Sequence, residues 1–347
     1  MQHLLQALAE RGRSGRDDLE LSAAGFSVRR RSALRSMPAG VRAIHRPLPA
    51  RLLHRAWRHG DWPPAECVLG RQDVVHGTNY VLPPPRRAAG VVSVHDLSFL
   101  HYPHLVAAAS LSYRELVPRA LARAAGVLVL SNAMAAEVTD AYRVPPDRLR
   151  VVPLGVDSAW LSAGSLPRVH GFPPDYLIAV GTLEPRKGLD VLLRAYRELT
   201  AEQPGTPPLV LVGPAGWGRE LDTSGVARER VLVPGYCDPR TVRALVANAA
   251  ALVYPSRYEG FGLPPLEALA AGTPVVASDL PAVREVVGGH ASLVPAGDPA
   301  ALAAAIRAVL EHSPTGERLA AGREHAARFS WARCAELTAA SYHAAAA

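Results

Sequence analysis

The sequence predicts an α/β protein with two domains, each built around a parallel sheet covered by helices. Its 347 residues suffice for two separate cores. Short apolar runs alternate with loops and helical segments through most of the chain, an order typical of parallel sheets. The chain is half apolar and poor in aromatic residues, as soluble α/β proteins are. Such domains bind ligands at the carboxyl ends of their strands, so we expect the two sheets to face each other across a crevice there.

The first domain is predicted to span residues 1–160 and to begin with a helix at 2–10, where apolar positions recur at helical spacing. Residues 17–28 favour one or two strands, and the arginine-rich run 29–59 favours loops with short helices. The elements that follow are strands at 73–77, 90–94 and 126–130, a helix over 110–125 bent at Pro118, and a helix capped by Ser131 or Asn132.

The second domain is predicted over residues 175–329. Residues 157–174 are rich in Ser, Gly and Pro without clear periodicity, so we place the linker there. The predicted strands lie at 177–181, 208–213, 230–235, 251–254, 274–278 and 291–295, and the predicted helices at 188–200, 239–249, from 264, 281–287 and 298–311. A last helix is predicted over 330–347.

The stretch 254–278, YPSRYEGFGLPPLEALAAGTPVVAS, has the features of an anion-binding helix start. Pro264 and Pro265 suit the first turn of a helix, and the glycines before them let backbone N–H groups approach an anion. We expect Glu267 in that first turn and Glu259 in the preceding loop, where ionised carboxylates accept hydrogen bonds from ribose or sugar hydroxyls. The helix dipole alone also favours acidic residues at a helix start, and spacing does not decide between these interpretations.

Two adjacent cations, Arg186 and Lys187, follow the first strand of the second domain. Arginine binds phosphate through two N–H groups and lysine acts as a point charge, so the pair suits a diphosphate leaving group. Lys187 is the sole lysine among 38 lysines and arginines, which indicates that an ammonium group is needed there. The other interpretation is a solvated basic turn, and the position at a strand end favours function.

His76 and His95 each follow a short apolar strand of the first domain, so we expect both at the rim of the crevice. A neutral histidine can donate to a sugar hydroxyl or transfer a proton. The other interpretation is a packed imidazole, which we favour for His76, while Asp96 could orient the ring of His95 or its loop. The sequence has no Asp-x-Asp pair at a strand end, the pattern that would suggest a metal-bound diphosphate. We therefore expect protein cations to neutralise the charge of the leaving group.

The positive charge of the chain is concentrated near the amino terminus. Residues 1–60 contain twelve arginines and four acidic residues, a net charge of 12 minus 4, or +8. This exceeds the net charge of +7 for the whole chain. We favour contact with anionic lipid headgroups over nucleic acid, because aromatic residues are not interleaved with the arginines. A solvated basic face is the remaining interpretation. Three scattered cysteines, no long apolar run and no signal sequence predict a cytoplasmic protein, peripheral at the inner face of the membrane.

Several motifs together resemble a known family: VVSVHDLSFLHYP at 91–103, VVPLGVD at 151–157, VGTLEPRKGLDVLLRAY at 180–196 and the stretch 254–278. They resemble retaining glycosyltransferases of the GT-B fold, in the family 4 group (glycosyl transferases group 1) that includes many bacterial mannosyltransferases. The resemblance covers most of the chain from residue 73 onwards. It implies metal-independent transfer of a hexose, with mannose from GDP-mannose as our expectation, from a nucleotide diphosphate sugar to a glycan or lipid-linked hydroxyl. It implies no cofactor, and a last helix that crosses back onto the first domain.

The resemblance also implies roles for individual residues. Glu267 should bind the nucleotide ribose, and Glu259 should lie near the transferred sugar. His95 should touch the donor sugar from the facing domain. The diphosphate and the rest of the donor should be bound by Lys187, Arg186, Gly181, Thr182 and the backbone of Phe261, Gly262 and Leu263.

Two departures from the family pattern stand out. Relatives often carry arginine where this chain has Thr182, which removes one expected contact with the leaving group. The family usually begins with a strand and a glycine-rich loop, whereas this sequence starts at the helix that follows them, so the first domain is expected to lack its first strand and to expose a sheet edge. The alternative function is therefore a relative that binds nucleotide sugars with impaired catalysis.

Overall fold

The computed structural model describes residues 2–26, 37–218 and 221–347. The chain divides into two compact units. Unit 1 comprises Met1–Leu100, Ala108–Gly155 and Ser330–Ala347, and unit 2 comprises His101–Ala107 and Val156–Phe329. Each unit contains a parallel sheet with helices packed on it. The prediction of an α/β protein with two Rossmann-like domains is confirmed.

Unit 1 begins with a helix, as predicted. Its strands are β1 (Leu21–Phe26), β2 (Val41–Arg46), β3 (Val74–Gly77), β4 (Ala89–Val94), β5 (Gly126–Val129) and β6 (Leu149–Val151). The helices in this part of the sequence are α1 (Gln2–Arg13), α2 (Ala50–His59), α3 (Ala65–Leu69), α4 (Ser98–His101), α5 (Tyr113–Arg123) and α6 (Asn132–Tyr142). Pro118 lies inside α5, and the Ser131 side chain caps α6 by accepting a hydrogen bond from the Met134 N–H.

The strands of unit 1 pair in two parallel sets. β1 pairs with β2, and β3, β4, β5 and β6 pair in that order. β4 and β5 are buried along almost their whole length, as expected for strands covered on both faces. Within the described residues, β1 pairs with β2 alone and β3 pairs with β4 alone, so β1 and β3 are both edge strands.

The amino-terminal region corrects one expectation. Residues 27–36 lie outside the described residues, and with them the end of the strand predicted to reach Val28 and the arginines at 29–31 and 35. In the rest of the arginine-rich run, α2 fits the prediction of short helices, but β2 was not predicted. The buried residue of β2 is Ile44, so its sequence has no alternation of buried apolar and exposed polar residues that would predict a strand. Pairing with β1 supplies the backbone hydrogen bonds of β2.

Unit 2 contains strands β7 (Leu177–Val180), β8 (Leu209–Val212), β9 (Val231–Gly235), β10 (Ala251–Tyr254), β11 (Val275–Ser278) and β12 (Ser292–Val294). Its helices are α7 (Ser158–Leu161), α8 (Leu189–Glu202), α9 (Pro239–Ala247), α10 (Leu263–Ala271), α11 (Pro281–Val287), α12 (Pro299–Glu311) and α13 (Gly316–Ala327). The strand order across the described sheet is β12-β11-β10-β7-β8-β9, with every pair parallel.

This strand order creates a topological switch point between β7 and β10. The chain builds outward from β7 to β9 and then returns to the other side of β7 with β10. The loops after β7 and β10 therefore leave neighbouring strands in opposite directions, which opens a crevice at the carboxyl ends of those strands. These loops are the ones that carry Lys187 and Glu259.

The segment 157–174, predicted as a linker, belongs to unit 2, and its first part is packed there. It contains α7, and the side chains of Trp160 and Ala163 are buried. The Asp157 side chain caps α7 by accepting a hydrogen bond from the Ala159 N–H at 2.8 Å. Helix α13 was not predicted, because its alanine-rich sequence buries only Gly322 and Ala326 and so lacks an apolar stripe.

The last helix, α14 (Trp331–Ala346), belongs to unit 1, as the resemblance implied. It packs against α1 and β4, and its Cys334, Ala335 and Ala339 share a buried cluster with Leu4 and Leu8. Close approach of the chain requires glycine at position 155, because a Cβ there would lie 2.1 Å from the Trp331 nitrogen.

Candidate functional site

The loops after β7 and β10 meet through backbone contacts. The Arg257 N–H donates to the Arg186 carbonyl at 2.8 Å. Gly188 has a positive φ of 64°, and a Cβ at this position would lie 2.1 Å from the Pro255 carbonyl oxygen. Only glycine lets the two loops approach this closely. The turn Pro185–Lys187 is thereby held beside the loop that carries Glu259.

Four charged side chains form what we call the strand-end cluster: Glu184, Arg186, Lys187 and Glu259. The Lys187 ammonium lies 2.6 Å from Glu259 Oε1, and an Arg186 guanidinium nitrogen lies 3.0 Å from Glu259 Oε2. Arg186 also lies 2.7 Å from Glu184 Oε1 and donates to the Tyr258 carbonyl at 3.0 Å. Each side chain is at most 15% exposed. The cluster therefore concentrates paired charges in a largely dry environment.

The two carboxyl groups of the strand-end cluster have opposite pKa shifts. Burial would raise the pKa of Glu259, but the charges of Lys187 and Arg186 outweigh burial and lower that pKa to about 2. Burial raises the pKa of Glu184, and Arg186 and Lys187 only partly offset it. Glu259 is thus firmly ionised at neutral pH, and it provides the charge that keeps both cations in place.

Two residues at this site were missed by sequence reasoning. The Tyr254 hydroxyl accepts a hydrogen bond from the Lys187 ammonium at 3.1 Å, and that ammonium lies 5.1 Å from the centre of the Tyr254 ring. Arg257 makes two hydrogen bonds of 2.7 Å to Asp190 and one of 2.9 Å to the Pro185 carbonyl. Tyr254 and Arg257 lie five and two residues before Glu259, and this proximity was the available signal. The sequence does not show that both side chains contact residues 185–190.

Glu267 is the fifth residue of α10, because the helix begins at Leu263. The prediction that it lies in the first helical turn is therefore wrong, and the prolines stand at the second and third helical positions. Burial raises the pKa of the Glu267 carboxyl to about 8, although a hydrogen bond with Trp160 and the charge of Arg243 act in the opposite direction. Asp157 contributes further to the rise. A ligand that donates hydrogen bonds to this carboxyl would favour its ionised form.

The turn before α10 has the geometry expected for a backbone site. Gly262 has a φ of 116° and precedes the first helical residue, Leu263. Pro264 and Pro265 have no N–H group, so the N–H groups of Gly262 and Leu263 are the donors that this helix start can offer. The Phe261 side chain is buried and packs edge to face on Phe329 at 6.1 Å, which anchors the turn.

Gly181 and Thr182, predicted to bind the donor, lie beside Lys187. Together with Tyr254 and Ser256 they line a small recess next to the lysine. A Cβ at Gly181 would lie 3.5 Å from Lys187 Cε, and a Cβ at Gly213 would lie 1.9 Å from the Gly181 carbonyl oxygen. Thr182 and Lys187 therefore line the same recess.

In unit 1, His95 follows β4 and is held by the backbone. Its Nε2–H donates to the Thr78 carbonyl at 2.9 Å, which leaves Nδ1 as the acceptor of the neutral ring. The ring packs edge to face on Tyr80 at 5.5 Å, and burial lowers the pKa of His95. Asp96 accepts hydrogen bonds from the Ser98 N–H and hydroxyl, so it organises the loop.

His76 is a packed histidine, the interpretation favoured from its sequence. Its Nδ1 lies 2.7 Å from the Tyr342 hydroxyl of α14, and its Nε2 lies 2.8 Å from the Ser93 hydroxyl. Burial, with a smaller contribution from the charge of His95, lowers the pKa of His76 to about 3. His76 therefore joins α14 to β3 and β4 as a neutral group.

The described residues form neither a metal site nor a membrane-spanning helix. The described ranges contain no group of three His, Cys, Asp or Glu side chains arranged to hold a metal ion. No helix in the same ranges has the length and apolar character needed to cross a bilayer.

Comparison with known proteins identifies the family. A family model described as "Glycosyltransferase Family 4" matches residues 2–160, and one described as "Glycosyl transferases group 1" matches residues 174–312. The O-antigen chain mannosyltransferase B of Escherichia coli is 32% identical over 307 residues, which cover 84% of this chain and 78% of that relative. The chain belongs to the family 4, group 1 glycosyltransferases. The strand-end cluster and Glu267 thus lie within the group 1 part of this glycosyltransferase, and His95 lies within its family 4 part.

Solved structures agree on the fold of the glycosyltransferase. Sucrose-phosphate synthase from Thermosynechococcus elongatus superposes with a TM-score of 0.75 at 22% identity, covering 98% of this chain and 91% of that one. Anabaena HepE in complex with UDP and glucose has a TM-score of 0.70 at 19% identity, covering 98% and 94%. The glycosyltransferase therefore has the GT-B fold.

Proposed function

We propose that this glycosyltransferase moves a hexose from a nucleoside diphosphate sugar to a hydroxyl group of a glycan or glycolipid, with retention at the anomeric carbon. The observation that carries the proposal is the strand-end cluster, where two cations lie at the switch point of the unit 2 sheet. Ligands of such sheets bind at switch points, and paired cations there suit a diphosphate. The likeness to a mannosyltransferase supports mannose as the sugar and GDP-mannose as the donor.

In the proposed reaction, Lys187 and Arg186 stabilise the departing diphosphate. The bond between the anomeric carbon and the diphosphate oxygen breaks, and the bond to the acceptor oxygen forms on the same face. The acceptor proton passes to the departing diphosphate, so no protein nucleophile is needed. Glu259 holds the two cations before the donor arrives and then lies beside the transferred sugar. Preorganised cations of this kind lower a barrier because they need no reorientation when charge develops.

The remaining donor contacts follow from the surrounding backbone and side chains. Glu267 accepts hydrogen bonds from the ribose hydroxyls, and the N–H groups of Gly262 and Leu263 bind sugar or phosphate oxygens beside Phe261. Gly181 and Thr182 line the same recess as Lys187 and contact the diphosphate. In unit 1, Nδ1 of His95 accepts a hydrogen bond from a sugar hydroxyl, because its Nε2–H is already donated to Thr78.

Metal independence belongs to the same proposal. Lys187 and Arg186 supply the positive charge that a divalent cation supplies in other transferases. Transfer measured in the presence of a chelator should therefore equal transfer with added Mg²⁺ or Mn²⁺. A rate that depends on the added metal would contradict this part of the proposal.

The proposed function is tested by offering a panel of GDP- and UDP-hexoses and measuring release of the nucleoside diphosphate. Hydrolysis in the absence of acceptor identifies the donor, and mannose-terminated glycans and lipid-linked glycans are then offered as acceptors. We expect wild type to release the nucleoside diphosphate from GDP-mannose, and Lys187→Ala to release it about 10²- to 10³-fold more slowly. Arg240 is an exposed cation of the same unit, and Arg240→Ala should keep the wild-type rate. Equal release in wild type and Lys187→Ala would contradict the proposal.

A binding protein for nucleotide sugars is the second candidate, favoured by the open edges of β1 and β3 in the described part of unit 1. Sheet edges without partners weaken a domain. Calorimetry that shows tight binding of the nucleotide sugar, together with no transfer to any acceptor and no hydrolysis, would select this candidate.

A further inference from the structure

Three large apolar side chains are exposed around helix α2 of unit 1. Leu52 lies on the helix and is 62% exposed. Leu48, two residues before the helix, is 38% exposed, and Trp62, three residues after it, is 72% exposed. Large apolar side chains that gather on one surface mark an interaction site more often than scattered ones do.

The exposed side chains of α2 lie apart from the side of the helix that packs within unit 1. α2 already buries a separate apolar stripe, in which Leu53 and Trp57 pack against Leu116 of α5. Arg51, Leu52, Arg55 and His59 recur at intervals of three and four residues on the outward side, and Arg51, Arg55 and His59 are exposed. The helix is therefore amphipathic in an unusual way, because its outer side combines basic and apolar groups.

The surface around α2 is also strongly positive. Residues 42–62 contain five arginines and one acidic residue, Asp61. Arg123 of α5 pairs with Asp61, and Arg58 pairs with Glu115 of the same helix. Arg119 of α5 lies 3.7 Å from Asp61 and adds a further cation. The acidic groups described nearby are thus matched by cations, and Arg51 and Arg55 are exposed on the outer side.

We infer that the outer side of α2, with Leu48 and Trp62 at its two ends, binds the surface of a bilayer that contains anionic phospholipids. The helix would lie in the plane of the interface, with Leu48, Leu52 and Trp62 inserted among the headgroups and upper acyl chains. Arg51 and Arg55 would meet the lipid phosphates, and tryptophan is favoured at such interfaces because one part of its ring is apolar and one part is polar. The inference does not use the arginines at 29–35, which lie outside the described residues.

Charge and shape favour lipid over nucleic acid as the partner. Non-specific binding of single strands uses aromatic side chains as stacking platforms, and this surface offers one exposed aromatic ring beside two leucines among its large apolar groups. Leucine side chains gain free energy from hydrocarbon but have no flat face for a base. Membrane binding is independent of the proposed transfer reaction, since none of these residues belongs to the strand-end cluster.

The test is sedimentation of the full chain with vesicles of phosphatidylcholine alone and of phosphatidylcholine mixed with phosphatidylglycerol. We expect binding to the mixed vesicles that weakens as salt is added, because surface charges are screened. The double variant Arg51→Gln/Arg55→Gln should bind roughly 30-fold more weakly, from the contribution of two arginines near an anionic surface. Leu52→Gln/Trp62→Gln should bind roughly tenfold or more weakly, because the inserted apolar area is lost.

The matched control is Tyr236→Gln/Arg240→Gln, which changes an exposed aromatic and an exposed cation in unit 2. It should bind vesicles like wild type, and all three variants should keep the wild-type unfolding temperature and donor hydrolysis. Equal binding of wild type to both kinds of vesicle, or unchanged binding of both α2 variants, would overturn the inference. It would also be overturned if the α2 variants lost affinity for a DNA duplex but not for vesicles.

Discussion

The strand-end loops of the two units handle buried polar groups in opposite ways. In unit 2, Lys187 and Arg186 are both paired with Glu259, whose carboxylate oxygens lie within 3.0 Å of the two cations. In unit 1, His95 follows β4 and His76 lies within β3, and burial lowers the pKa of each, so both rings are neutral. A buried charge needs a partner of opposite charge, whereas a neutral ring needs only hydrogen bonds. This difference fits the proposal that unit 2 binds the charged part of the donor and unit 1 an uncharged part.

Replacing Lys187 should reduce turnover more than any other change considered, because the proposal gives this lysine the role of stabilising the charge on the leaving group. Lys187→Ala should lower turnover about 10²- to 10³-fold, the usual cost of losing one preorganised group at a developing charge. Steady-state kinetics with the identified donor checks this, and circular dichroism should show an intact fold. A loss confined to KM would mean that the lysine binds donor and transition state equally well.

Removing Glu259 tests whether the charges of unit 2 depend on mutual pairing. Glu259→Gln should cost about 3 kcal/mol of unfolding free energy at neutral pH, because the largely buried Lys187 loses its paired carboxylate and Arg186 keeps only Glu184. The pKa of Glu259 is lower in the folded protein than in the unfolded chain, so its ionisation stabilises the fold above the ordinary pKa of a glutamate. This contribution to the unfolding free energy is lost as pH falls towards 2. Urea unfolding measures the loss, and Glu198→Gln, an exposed carboxyl on α8, should change little.

The neutral state of His95 is tested by a pH profile. Because burial lowers its pKa, turnover should stay level as pH falls through 6.5, where an ordinary histidine would gain a proton. His95→Phe should reduce kcat/KM about 30-fold, or about 2 kcal/mol, because the sugar hydroxyl loses the Nδ1 acceptor and is left unpaired. A wild-type rate that halves near pH 6.5 would show that the ring is charged and would break the comparison.

Glu267 sharpens the comparison within unit 2, since its carboxyl lacks the cation pair that Glu259 has. With its pKa raised to about 8, the carboxyl is largely protonated at pH 7, and ribose binding to the ionised form should release a proton. Calorimetry of nucleoside diphosphate binding in buffers of different ionisation enthalpy measures that proton. Affinity should rise up to about tenfold between pH 7 and pH 9, at most one factor of ten per pKa unit below the shifted value. Glu267→Gln should remove both the proton release and the pH dependence of affinity. If the variant still released the proton on binding, the proton would come from another group.

Much of the fold could be predicted because its signals are local. The buried strands β4, β5, β7, β8, β10 and β11 are continuous apolar runs, and the prolines at 239, 281 and 299 mark helix starts. β2 and α13 escaped prediction because each depends on neighbours: β2 on pairing with β1, and α13 on packing against α10. Their own sequences carry no apolar periodicity that would identify them.

The site could be predicted as a set of residues but not as a network. The motifs placed Arg186, Lys187 and Glu259 at strand ends, which suffices to expect them at one edge of the sheet. The sequence does not show that Glu259 pairs with both cations, or that Tyr254 and Arg257 support them, since these contacts span 67 to 72 residues. Such contacts exist only once Gly188 lets the two loops meet.

The central claim, that the unit 2 cations bind a diphosphate, is tested most directly by comparing ligands that differ by one phosphate. Calorimetric titration of wild type and Lys187→Ala with a nucleoside diphosphate and the matching monophosphate isolates the contribution of the second phosphate. The account predicts that wild type prefers the diphosphate by about tenfold or more, as a charge-assisted contact should provide, and that Lys187→Ala loses this preference. An equal preference in wild type and variant would contradict it.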